Sequence, residues 1–267
     1  MKKIGIFWFV ITFFYLNAQE FKENNNKLQN QTVYELQSRQ IPILVGSSLI
    51  YSFGNNLTRK KLPLNEQEIS FLNRSSINSF DRWATFHWSP TISKISDVTV
   101  ILSATATPLM FTEKKIRKEW FTIGFMYLEA TISTYGLTQL TKGLTHRYRP
   151  YVYNPEVPFE EKLNSDAKNS FFSGHTALTA TYSFLTYKIY SDFFPKSKLK
   201  PYFLSGAIAL PLVTGTARIL SGKHYLSDVI TGYAVGTFIG YGLPYLFKTK
   251  KNNSSSSLTL HVLILPF

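Results

Sequence analysis

An all-α bundle of about six helices, with its working residues gathered at one end, is predicted by three features of this 267-residue chain. Six apolar segments of helical length recur along it, at 41–53, 98–111, 120–140, 174–187, 201–217 and 229–247. They are rich in Ala, Leu, Gly and aromatic residues and lack the period-2 alternation of strands. The clusters of polar and charged residues fall at the ends of these segments. The length suits one compact domain, and nothing in the composition marks a second.

Taken in order, Lys2 and Lys3 followed by an apolar run at 4–16, with Leu16 and Ala18 at the −3 and −1 positions, read as an export signal spanning 1–18. The alternative is a retained anchor. Residues 19–40 are a polar, Asn- and Gln-rich leader, 41–248 the helical domain, and 249–267 a low-complexity tail with a short apolar end. Segments 120–140 and 229–247 approach the roughly 20 apolar residues that cross a bilayer, the first interrupted by Glu129, whereas 41–53 and 98–111 are short for a span. An aromatic content of 16%, with Pro108, Pro211 and Pro244 inside apolar runs, favours a membrane-embedded bundle over a soluble exported one.

Basic clusters at 114–118, 196–200 and 248–251 sit at segment ends that would share one side of a membrane, which makes that side cytoplasmic. The expected place is therefore the bacterial inner membrane with the other end facing the periplasm. A cleaved signal puts the mature N-terminus on that outer side too, which requires 41–53 to be re-entrant or interfacial. Lysine plus arginine exceed aspartate plus glutamate by 29 to 16, and the net charge of +13 favours anionic partners. The absence of cysteine excludes disulfides, thiolate metal sites and a cysteine nucleophile.

Three clusters carry chemistry. In the first, Lys142 and Arg149 stand seven residues apart, close to two turns of a continuing helix, so both cations would share one face, with Pro150 ending the helix. Taken alone, such a cluster also reads as a basic helix end complementing the macrodipole. In the second, Ser173-Gly174-His175 opens an apolar segment. A hydroxyl and free backbone N–H groups at a helix start suit a phosphoryl oxygen, and His175 beside them suits proton donation to a leaving alkoxide. An N-cap serine with an incidental histidine is the simpler reading of that cluster in isolation. In the third, His224 and Asp228 are four apart, so a carboxylate one turn away can fix the imidazole tautomer and free the other nitrogen to attack, while Arg218 grips an oxyanion bidentately.

In this order, Lys-x6-Arg-Pro, Ser-Gly-His and Arg-x5-His-x3-Asp resemble the signature of the type 2 phosphatidic acid phosphatase and vanadium haloperoxidase superfamily, over residues 142–228 and the surrounding helices. The resemblance implies phosphate binding by Lys142, Arg149, Arg218, Ser173 and the Gly174 backbone. It also implies His224 as nucleophile, Asp228 as its orienting partner and His175 as the acid, with no metal and no cofactor. Phe172 stands where the family usually has proline, and Ala217 where it usually has serine. The expected activity is hydrolysis of a phosphate monoester or diphosphate through a phosphohistidine, with a phosphorylated lipid as partner, the membrane as site of action, and no nucleic acid. Phosphatidate, phosphatidylglycerol phosphate, a polyprenyl diphosphate and a lipid A phosphate are all compatible, and oligomeric state is open. The alternatives are a soluble nonspecific acid phosphatase, a vanadium-dependent haloperoxidase, and a non-catalytic basic protein binding membrane surfaces or nucleic acid.

Overall fold

A computed structural model describes residues 32–249. The export-signal segment, most of the polar leader and the tail after Thr249 lie outside the described residues. Among those described, six long helices form the bundle: α1 Gln40–Arg59, α2 Pro90–Leu109, α3 Trp120–Leu144, α4 Gly174–Phe193, α5 Lys200–Leu220 and α6 Leu226–Phe247. Short helical turns fill the connections, and the one β-type contact described is an isolated antiparallel bridge between Tyr34 and Lys248.

Every helix extends beyond its apolar run, α1 and α2 the furthest. The first two turns of α2, from Pro90 to Asp97, are polar, but Ser89 caps them by accepting from Ile92 N at 3.2 Å and Pro90 suits the first helical position. Helix α1 continues through Asn55, Asn56 and Thr58 because its backbone is pressed against α3: a side chain at Gly54 would meet Leu140 N at 2.3 Å.

Helix α4 is the hub, buried along nearly its whole length between α6, α5, α2 and α3. Small residues permit the close approach. A Cβ at Gly232, Gly236 or Gly240 of α6 would meet the carbonyl oxygen of Ser173, Ala177 or Thr181 at 2.5, 2.1 and 2.2 Å. This i,i+4 glycine seam lets two helix backbones run in contact, the packing that dispersion forces reward where apolar burial gives no gain. Gly236→Val is therefore expected to destabilise the fold by about 2–3 kcal/mol through forced separation of α4 and α6, read as a lower melting temperature of the purified protein.

Hydroxyls join the remaining helices. Thr134 meets Thr181 at 2.8 Å, Thr107 meets Thr186 at 2.8 Å, Thr99 meets Thr214 at 2.7 Å and Ser47 meets Ser133 at 2.9 Å. The buried residues of α2 are Ser96, Thr99, Ser103 and Thr107, while Ile95, Val98, Ile101, Leu102 and Leu109 of the same helix are exposed. This inverts the pattern of a helix in water, whose apolar stripe faces inward. Helices α2, extended to Thr112, and α5 are long and apolar enough to cross a membrane.

These contacts define two ends. The C-termini of α1, α3 and α5 and the N-termini of α2, α4 and α6 form one, called here the site end. The other, the far end, carries Lys114, Lys115, Arg117, Lys118, Lys196, Lys198, Lys200 and Lys248. Helix α1 runs parallel to α3, Ser47 lying beside Gly136 and Leu57 beside Gly143. At twenty residues α1 is about 30 Å long and lies alongside α3, well beyond the thirteen-residue apolar run from which a re-entrant or interfacial segment is expected. The chain enters α1 at the far end, where the Glu119 carboxylate accepts from Val33 N and Tyr34 N at 2.8 Å each and Tyr34 Oη donates to Asp192 at 2.7 Å.

Candidate active site

The three sequence clusters meet at the site end, by routes that differ from those the spacing suggests. Helix α3 stops at Leu144, so Lys142 and Arg149 do not share a helical face. Arg149 lies on the extended strand of chain beyond it, and Pro150 opens a 3₁₀ turn rather than ending α3. What returns Arg149 to the site is a set of backbone bonds: its N–H donates to Ala167 O at 2.8 Å, and Ser170 N donates to Arg147 O at 3.1 Å.

His224 likewise precedes α6 and is not on it. Helix α5 ends at Leu220, Gly222 turns the chain with φ 71°, and Lys223 N and His224 N both donate to Arg218 O, at 3.0 and 3.2 Å. A side chain at Gly222 would meet His87 O at 2.3 Å besides straining that φ, so the turn that presents His224 requires glycine. Asp228 then lies in the first turn of α6, where Oδ2 accepts from Tyr225 N at 2.9 Å. Its Oδ2 is 3.5 Å from Nδ1 of His224, just outside a direct hydrogen bond to the buried ring. The carboxylate thus addresses Nδ1, and Nε2 is the nitrogen left for chemistry.

Ser173 caps α4, with Oγ 2.9 Å from Thr176 Oγ1, and its own N–H donates to Asp228 O at 3.1 Å, tying the start of α4 to the start of α6. Ser173 Oγ accepts from Thr176 N at 3.5 Å, which leaves the first-turn N–H groups of Gly174 and His175 without a partner inside the helix, the kind of donors that suit an anion. His175 Nε2 lies 2.9 Å from Asp97 Oδ1 of α2. Arg218 is 5% exposed; Nη1 donates to Ser93 at 3.0 Å and Ser96 at 3.3 Å, and its buried Nε has no partner.

The electrostatics record the convergence. Burial first, then the charges of Arg149, Arg218, Lys142 and His175, push the His224 imidazolium well below its ordinary value of 6.5, so the ring is held neutral. Lys223 is lowered to about 8 by burial and by Arg149 and Arg218, while its ammonium rests 4.7 Å from the ring centres of both Trp88 and Tyr151. A polar cleft of about 370 Å³ contains Lys142 and Asp166. The larger apolar cleft, about 570 Å³ between α1, α3 and α6, holds none of the cluster residues.

Several site residues carry no sequence signal. Arg147 bridges two buried carboxylates: Nη2 donates to Asp81 Oδ2 at 2.6 Å, and Nη1 donates to Asp228 Oδ1 and, at 2.8 Å, to Ser227 Oγ. Ser170 Oγ completes the shell of Asp228 at 2.6 Å. Lys61 Nζ donates to Lys142 O and Thr145 O at 2.5 Å each, neutralising the C-terminal carbonyls of α3 beside Lys142.

An imidazole–carboxylate pair among arginines, a lysine and a helix N-terminus is an arrangement whose charge and donors suit a phosphoryl group. The family described as the PAP2 superfamily matches residues 123–252, which supports the resemblance to the type 2 phosphatidic acid phosphatase superfamily. A lipid A 4'-phosphatase of Porphyromonas gingivalis is 24% identical over 144 residues, 53% of this chain. The match spans 58% of that relative's length. No solved structure matches the chain significantly.

Proposed function

We propose that the protein is a membrane-integral phosphatase that hydrolyses a phosphorylated lipid through a phosphohistidine at His224. The observation that carries the reading is the gathering of Lys142, Arg149, Arg218, the Ser173–Gly174 turn and His175 around a neutral, buried imidazole backed by Asp228. In the first half-reaction Nε2 of His224 attacks phosphorus, the ester P–O bond breaks with its electron pair leaving on oxygen, and His175, having taken up a proton as the phosphate dianion binds, gives that proton to the oxygen. Asp228 stabilises the ring as it becomes cationic. In the second half-reaction His175, now neutral, takes a proton from water, whose oxygen attacks phosphorus and expels His224. The three cations and the first-turn N–H groups of α4 balance the charge spread over the equatorial oxygens, the task a metal performs in other phosphatases. Turnover is accordingly expected to survive dialysis against EDTA with no added metal, measured as phosphate release.

The outward apolar faces of α2 and its neighbours, and the small-residue and hydroxyl contacts inside, support residence in lipid. The basic far end favours the cytoplasmic side, which turns the site outward. On this reading the segment that enters α1 is cytoplasmic, so cleavage of an export signal after Ala18 and an outward site exclude each other. Carbonate extraction separates an integral protein, which stays in the pellet, from a soluble exported acid phosphatase. The lipid A 4'-phosphatase relative supports a phosphorylated lipid as substrate. Phosphate release from lipid A, phosphatidate, phosphatidylglycerol phosphate and a polyprenyl diphosphate tests this: turnover of a soluble ester alone, with none of the lipids, would overturn it.

A further inference from the structure

Asp166 sits where a substrate phosphate would compete with it. It lies in a 3₁₀ turn of the loop between the first two clusters. Its side chain is 54% exposed while that of Arg149 beneath it is 4% exposed, so the carboxylate covers the open side of the guanidinium. Arg149 uses three nitrogens differently. Nε donates to the backbone oxygen of Asp166 at 3.0 Å and Nη1 to the backbone oxygen of Lys223 at 3.2 Å. Only Nη2 is taken by the Asp166 carboxylate, at 2.5 Å. Two main-chain oxygens therefore aim the guanidinium, and the carboxylate is not needed to position it.

We propose that the Asp166 carboxylate is a resident anion, which the substrate phosphoryl group displaces from Arg149 and which returns to help expel orthophosphate. The inference rests on the phosphatase reading of the site and adds to it a residue that sets affinity. The backbone around Asp166 is pinned: its N–H donates to Asn164 Oδ1 at 2.9 Å, and the neighbouring Ala167 oxygen accepts from Arg149 N at 2.8 Å. A change of side-chain rotamer is thus enough to clear the site, without loop movement. Burial pushes the Asp166 acid up, but Arg149 and Lys142 outweigh it and hold the carboxyl below its ordinary range, so the competitor is charged at neutral pH. Two arginines and a lysine around one dianion would otherwise retain the product, and a tethered carboxylate acts against it at high effective concentration.

The test compares Asp166→Asn and Asp166→Glu in the full chain purified in detergent, with melting temperatures confirming that each folds. Inorganic phosphate is the probe, followed both as a competitive inhibitor and by calorimetric binding. Asn keeps the shape and an acceptor for Nη2 but removes the charge. It should bind orthophosphate about tenfold more tightly and lower KM, with kcat equal or reduced, while Glu stays near wild type. Unchanged or weaker phosphate binding by the Asn variant overturns the proposal, the weaker result meaning that the carboxylate serves to position Arg149. A wild-type chain that neither binds orthophosphate nor releases it from any ester overturns the phosphatase reading itself, which keeps the two failures distinct.

Discussion

His224→Ala is expected to lower turnover by roughly 10⁴-fold or more, the loss typical when the nucleophile of a covalent mechanism is removed, while orthophosphate still binds. The wild-type enzyme quenched in alkali, which preserves a P–N bond, should carry labelled phosphate on the chain, and the variant should carry none. A labelled His224→Ala protein turning over at the wild-type rate would end the assignment. The pH profile offers a second check. Because His224 is held neutral well below 6.5, its protonation cannot produce a fall in kcat/KM near pH 6.5, and the acidic limb should lie lower. The sign for stability follows from the same shift. The unfolded chain takes up this proton near 6.5 and the folded one does not, so this contribution to stability is present above about 6.5 and lost as the pH falls below it.

Arg147→Met is expected to have the second largest effect, although Arg147 occupies only a variable position of the first motif. It leaves Asp81 and Asp228, at 2% and 0% exposure, facing each other's surroundings without their shared cation. Removing one partner from a buried ion pair typically costs 3–5 kcal/mol, and with Arg147 itself 26% exposed a loss of about 2–4 kcal/mol is expected. A thermal melt reads the stability, and kinetics should show kcat falling more than KM changes, because Asp228 can no longer stay ionised behind His224. Adding Asp81→Asn removes one of the stranded charges and should return part of the stability but not the rate. Arg147→Lys should recover stability in part, since it restores a cation without the fork that spans both carboxylates. Wild-type kinetics in Arg147→Met would show that Asp228 needs no counterion.

The residues that touch phosphate in the proposed chemistry were legible in the sequence because they come as three ordered motifs with fixed spacing at helix ends. Their supports were not. Arg147 finds Asp81 across 66 positions, Arg218 finds Ser93 across 125 and His175 finds Asp97 across 78. No spacing rule reaches so far, and single serines or aspartates in polar stretches carry no mark of where they will dock. Apolar runs located all six helices yet missed the polar first turns of α2 and the last turn of α1, because those turns are stabilised by capping and by contact with other helices. Helical periodicity misjudged Lys142 and Arg149, which meet through the loop's backbone bonds. Glu129, which interrupts an apolar run in the sequence, is wholly buried with neither carboxylate oxygen hydrogen-bonded.

Gly232, Gly236 and Gly240 of α6 form a graded ruler. The carbonyl that Gly232 touches belongs to Ser173, one residue before the start of α4 at the proposed phosphate site, whereas Gly240 touches Thr181, two turns deeper. Bulk introduced at 232 would tilt the catalytic turn and register as lost rate, while the same bulk at 240 would wedge the helices apart remote from the chemistry and register as a lower melting point. Distance along one line of contact thereby decides which of the two properties an identical change impairs.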